Sequence, residues 1–111
     1  MPKHTNDRLQ GTLDLLILNI VARGGAQHGY AIAQRIHIAT DDSLRIEEGS
    51  LYPALQRMTH EKWLRAEWGV TDTSRKARFY TITPAGRKQL EAEERRWLQL
   101  TEAVAKALRF A

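Results

Sequence analysis

The side chains with chemistry to offer in this chain are hydrogen-bond donors and cations rather than nucleophiles. Tyr52, Gln56, Arg57 and His60 stand within one short stretch, and Ser74, Arg75, Lys76 and Arg78 within another. An amide such as Gln56 can bond the edge of adenine, and a guanidinium such as Arg57 that of guanine, in the major groove of a duplex. Clustered Lys and Arg neutralise phosphates, the sequence-independent part of nucleic-acid affinity. Both stretches also read as solvated surface, which is what most polar faces are. Catalysis has little to draw on. Cysteine is absent, which excludes thiol catalysis, disulfides and zinc ribbons. No nucleophile–base pair or glycine-rich phosphate loop appears. His28, His37 and His60 lack ligand-like spacing, so no metal or other cofactor is expected.

The elements that must carry these side chains follow from capping and periodicity. Gly49-Ser50 reads as a turn and cap. With Pro53 in the first turn, where amides lack intrahelical acceptors, a helix is expected to begin near Ser50 and end around His60 to Lys62. Leu51, Leu55 and Met58 recur on its inner face. Pro53 and Gln56 then lie outside, flanked by Tyr52 and Arg57. Upstream, Thr12 is a plausible cap, with Asp14 in the favourable first turn. Leu13, Leu16, Ile17, Ile20 and Val21 form one stripe and Leu15 and Leu18 another, until Gly24-Gly25 ends the helix. His28-Gly29-Tyr30 opens a second helix with Ile32, Ala33, Ile36 and Ala39 facing inward. Thr40-Asp41-Asp42-Ser43 is a loop, and Leu44-Arg45-Ile46 alternates as a minimal strand.

Downstream, Leu64, Ala66 and Trp68 alternate with Arg65 and Glu67, a half-buried strand pattern. A turn-rich segment, residues 71–76, leads to a second strand over residues 77–82, making a β-hairpin. Arg65, Arg75, Lys76 and Arg78 on this hairpin outnumber its acids, Glu67 and Asp72. Thr83-Pro84 starts a last helix running to about Phe110, ~40 Å long. Leu90, Trp97 and Val104 repeat every seven residues, with Leu100 and Leu108 on the same face, a pattern that suits packing on the same helix of a second subunit. The order is helix, helix, minimal strand, helix, hairpin, long helix. It is that of a winged helix-turn-helix, mainly α with a small β-hairpin wing, in which the third helix enters the major groove.

With 111 residues and 42% hydrophobic content, the chain is expected to form one core. It carries a formal charge of +4, compatible with an anionic partner. The longest apolar run, Leu15-Leu16-Ile17-Leu18, is too short for a bilayer, and the first eight residues lack the core of a signal peptide. The expectation is a cytoplasmic protein without a membrane partner.

The residues also resemble a known family, the PadR-type transcriptional regulators, in the short form with one C-terminal helix. The resemblance rests on Gln10-Gly11-Thr12-Leu13-Asp14, His28-Gly29-Tyr30-Ala31-Ile32-Ala33 and Gly49-Ser50-Leu51-Tyr52-Pro53-Ala54-Leu55. It continues with Arg78-Phe79-Tyr80 followed by Thr83-Pro84-Ala85-Gly86, in order and correctly spaced over residues 9–91. One departure is Lys62, where that family commonly has glycine between recognition helix and wing. The resemblance implies a homodimeric repressor on a palindromic operator in double-stranded DNA, often released by a small molecule. By position, Tyr52 would anchor the recognition helix at DNA, Ser50 and Pro53 would set its N-terminus, and Tyr30 would brace the second helix near the backbone. Ser74, Arg75, Lys76 and Arg78 would meet phosphates.

The expected organisation is a flexible arm over 1–8, a DNA-binding domain over 9–83 and a dimerisation helix over 84–111, whose interface uses Leu90, Trp97, Leu100, Val104 and Leu108. Trp97 has two readings: a dimer-core residue, or a surface on which a flat aromatic effector stacks, as in some members of that family. The alternative for the whole chain is a winged-helix adaptor that binds a ligand or protein and has no DNA role.

Overall fold

Capping and apolar spacing direct most of the elements, and the computed structural model describes residues 4–110. In chain order these are α1 (His4–Gly24), β1 (Gln27–His28), α2 (Gly29–Ala39), α3 (Glu48–His60), β2 (Leu64–Val70), β3 (Lys76–Ile82) and α4 (Pro84–Arg109). The sheet is antiparallel in the order β1-β3-β2, with Leu64 opposite Ile82 and Val70 opposite Lys76 in the hairpin. This is the expected architecture, mainly helical with a hairpin wing.

The core gathers Ile17, Leu18 and Val21 of α1, Ile32 and Ile36 of α2, and Leu51, Leu55 and Met58 of α3, closed by Leu64 and Tyr80 of the sheet. Each large side chain buried there contributes roughly 1.5–3 kcal/mol, which is what holds α3 down along its inner stripe. α4 is capped as expected: the Thr83 hydroxyl accepts from the Gly86 amide at 3.0 Å, with Pro84 in the first turn.

The junction between α3 and the wing is a tight C-terminal motif. The Trp63 amide donates to the Met58 carbonyl and the Lys62 amide to the Thr59 carbonyl, both at 3.0 Å. That pairing needs a left-handed residue after the cap, and Lys62 supplies it at φ 70°. The position where the resembled family commonly has glycine is therefore one where the backbone favours glycine.

Several expectations are corrected. α1 starts before Thr12, so Thr12 is an interior residue and not a cap; of the expected arm over 1–8, residues 1–3 lie outside the described residues and the remainder is helical. Leu18 is fully buried beside Ile17 and Val21, while Leu15 is only half-buried. Ala39 is exposed at the end of α2. Leu44-Arg45-Ile46 forms no strand, because the free edge of β3 is taken by Gln27–His28; Ile46 instead packs against the core from a loop. α3 begins at Glu48, two residues before Ser50. The Ser50 and Leu51 amides both donate to the Glu47 carbonyl, so Ser50 is not the cap. Pro53 therefore lies beyond the first turn, with its missing amide opposite Gly49, an exposed residue.

Candidate nucleic-acid interface

With Leu51, Ala54, Leu55 and Met58 buried, α3 turns Ser50, Tyr52, Pro53, Gln56 and His60 to solvent. Tyr52 is aimed by a close approach rather than by a bond. A Cβ on Gly29 would stand 2.7 Å from Cε1 of Tyr52, so glycine is what lets the start of α2 lie against the ring. Next to it, Tyr30 is exposed in the first turn of α2. That turn is tied to the sheet: the His28 Nδ1 accepts from the Ala31 amide at 3.4 Å, and its ring meets Phe79 edge-on at 5.4 Å.

The wing turn is ordered by its own polar groups. The Ser74 amide donates to the Thr71 carbonyl at 2.9 Å and the Arg75 amide to the Thr71 hydroxyl at 3.1 Å, with Ser74 left-handed at φ 63°. Arg75 and Lys76 are exposed at the tip. Trp68, expected to face inward, is 67% exposed, because the hairpin outruns the core and its outer positions have nothing to cover them. Its ring lies opposite Arg78 in the ladder, with the Arg78 guanidinium 5.8 Å and the Lys76 ammonium 6.0 Å from its centre. Such cation–ring contacts hold two long, mobile side chains on one face.

An open cleft of about 810 Å³ separates wing and helices, lined among others by Tyr30, Tyr52, Trp68, Arg75, Lys76 and Arg78. Tyr80 forms part of the same wall. Burial pushes its phenol above the ordinary value, Arg78 opposing and Tyr52 adding, so it is a neutral hydrogen-bonding group in the cleft. Among the described residues that line it, the cleft thus combines aromatic surface with three cations and one acid, Asp72. It suits a polyanion with sugar and base surfaces better than a small neutral molecule.

Arg57 is not on this face. Its Nη2 donates to Oδ1 of Asp14 at 2.7 Å and its Nη1 to Oδ2 at 3.1 Å, a two-point bond across 43 residues of sequence. Asp14 is 4% exposed on α1, whereas the Arg57 side chain retains 31%. The assignment of Arg57 to the groove is corrected: the residue flanks the buried stripe of α3 and turns inward to the acid. Burial raises the Asp14 carboxyl above its ordinary range, Arg57 pulls it back, and Glu93 of α4 adds to the rise. Glu93 is itself buried, accepting from Gln89 at 2.8 Å and Arg96 at 3.0 Å. Asp14 and Gly29 belong to the quoted motifs and are not among the expected site residues. An acid at helical spacing from Ile17, Leu18 and Val21 was the available signal.

On α4, Leu90 packs against the chain's own core, so the first member of the expected interface serves within the domain. Trp97, Leu100, Val104 and Leu108 are all exposed in the single chain. Among the described residues no cluster suited to a metal ion occurs, and no helix is long and apolar enough to cross a membrane.

Comparison with known proteins agrees with this geometry. Residues 17–92 match the transcriptional regulator PadR-like family. An uncharacterised protein of Lysinibacillus sphaericus is 29% identical over 89% of this chain and 90% of its own. Among solved structures, a transcriptional regulator from Clostridium thermocellum superposes with a TM-score of 0.80 at 29% identity, covering 90% of this chain and 96% of that one. A PadR-like regulator from Bacillus cereus gives 0.77 at 28% identity over 95% and 99%.

Proposed function

The chain belongs to the PadR-like family of transcriptional regulators, and from that premise we propose that it is a sequence-specific repressor. It acts as a homodimer on a palindromic operator and is released by a small-molecule effector. The observation that carries this reading is the continuity of one surface: Tyr52 of α3 lines the cleft with Tyr30 and the cationic wing, and Tyr52, Arg78 and Tyr80 also wall the adjoining hollow that holds the exposed Gln56. Gln56 reads a base edge and Tyr52 anchors α3 against the duplex, with Ser50 and Pro53 exposed beside them on the same face. Tyr30 braces the backbone beside α2. Ser74, Arg75, Lys76 and Arg78 take phosphates on the flank, where contacts supply affinity without sequence.

Elements α1 to β3 form the DNA-binding body and α4 the dimerisation helix. The exposed side chains of Trp97, Leu100, Val104 and Leu108 support pairing with a second copy, since a face this apolar is seldom left to water. In that pairing Trp97 is also the surface offered to a flat aromatic effector. Two copies of α3 then lie about one duplex turn apart, ~34 Å.

Sedimentation together with fluorescence-anisotropy titration against random and genomic duplexes tests the proposal. The expected result is a dimer whose DNA binding weakens steeply with salt. No binding at low salt would reject it in favour of a winged-helix adaptor for a ligand or protein.

A further inference from the structure

We propose that Asp14 is a positioning residue for base reading: by holding the Arg57 guanidinium at two points it sets the rotation of α3 and so aims Gln56. This rests on the DNA-reading role of α3 proposed above. The apolar stripe Leu51, Ala54, Leu55 and Met58 fixes the depth of the helix, but apolar contact is non-directional. A rotation of ~20° about the α3 axis leaves such a stripe buried, yet moves a side-chain tip at ~6 Å radius by ~2 Å. Base reading tolerates ~0.5 Å. A restraint with direction is needed, and the two-point bond between Arg57 and Asp14 is one.

The site of this bond separates it from simple reinforcement. A buried ion pair contributes little net stability, since desolvation offsets attraction, and an apolar pair of similar volume serves as well or better. Here the acid is almost wholly buried on α1 and the base is the immediate neighbour of Gln56. The bond thus ties α1 to α3 at the residue next to Gln56. The charge arrangement specifies a geometry that Leu or Met at the same places would leave loose.

The test uses the full chain and an operator selected by the wild-type protein. Affinity is measured for that operator, for copies with one base pair changed in each half-site, and for random duplex, alongside thermal unfolding. In Asp14→Asn, and in the apolar pair Asp14→Leu with Arg57→Met, random-duplex affinity is expected to hold. The preference for operator over the altered copies falls at least about tenfold, the equivalent of one good base contact. The apolar pair remains folded even if Asp14→Asn does not. A folded apolar-pair variant with wild-type preference would overturn the proposal, leaving the pair a structural brace. Stronger binding to every duplex in Asp14→Asn would overturn it as well, by making Arg57 a DNA contact that Asp14 restrains. Should the wild-type protein select no operator, the functional reading fails first and this inference falls with it.

Discussion

Replacing Lys62 by glycine should stabilise the chain, although it removes a side chain and adds freedom to the unfolded state. Lys62 sits at φ 70°, with its amide bonded to Thr59 and its carbonyl accepting from the Thr83 hydroxyl at 2.6 Å. Left-handed backbone costs an ordinary residue about 1–2 kcal/mol. Glycine removes that strain but loses about 0.5–1 kcal/mol through its more flexible unfolded chain. The side chain of Lys62 is exposed, so nothing packed is lost. The balance is a gain of about 0.5–1 kcal/mol, which for a chain of this size raises Tm by roughly 2–4 °C. Urea unfolding at fixed protein concentration reads the same gain as a higher midpoint at unchanged slope. Lys62→Ala is the control: it keeps the strain, removes the charge and should move the midpoint little. A glycine variant no more stable than wild type would refute the strain assigned to this junction. An alanine variant that matched the glycine would show that charge, and not backbone, is responsible.

Three further outcomes follow from the same geometry. Gly86→Ala should destabilise by about 2 kcal/mol or more despite alanine's better helix propensity of ~1 kcal/mol, because the new methyl is driven into the Trp63 carbonyl and to within 2.8 Å of Ile82; an unchanged urea midpoint would contradict this. Arg75→Ala should weaken binding to all duplexes and reduce the slope of log affinity against log salt by about one unit, and an unchanged slope removes Arg75 from the phosphate contacts. For Asp14 the folded carboxyl lies above its ordinary value of 3.8, so the folded state holds a proton that the unfolded state releases. Its contribution is complete below that value and fades as pH rises through the folded one, by at most about 1.4 kcal/mol per pH unit. The stability of wild type over Asp14→Asn should therefore narrow on going up from pH 4, and a widening gap would mean that Arg57 outweighs burial.

What was legible in the chain was whatever depends on neighbours in sequence. The cap at Thr83-Pro84, the break at Gly24-Gly25 and the inner stripe of α3 are local signals, and each stands where it is expected. The role of Arg57 is not legible locally, because its partner is 43 residues away and because it borders both faces of the helix. Placing the start of α1 at Thr12 made Asp14 look like a first-turn acid; an earlier start turns the same residue into an acid on an apolar stripe, which calls for a buried cation. Alternation put Trp68 inside, but alternation carries no information on where the core stops, and the hairpin runs past it. Gln27–His28 is too short to show any period and pairs only because β3 passes alongside. Lys62 is the converse case: its departure from glycine was visible in the sequence, and its meaning lay in the dihedral.

The central claim is that the outer face of α3 and the wing read DNA as a symmetric pair. Selection of genomic fragments by the purified full chain tests it most directly. Enriched fragments are expected to share an inverted repeat, with half-site centres about 10 base pairs apart, and to lose that repeat in a parallel selection with Gln56→Ala. Enrichment of no shared sequence, or of an undivided single site bound equally well by Gln56→Ala, would contradict it.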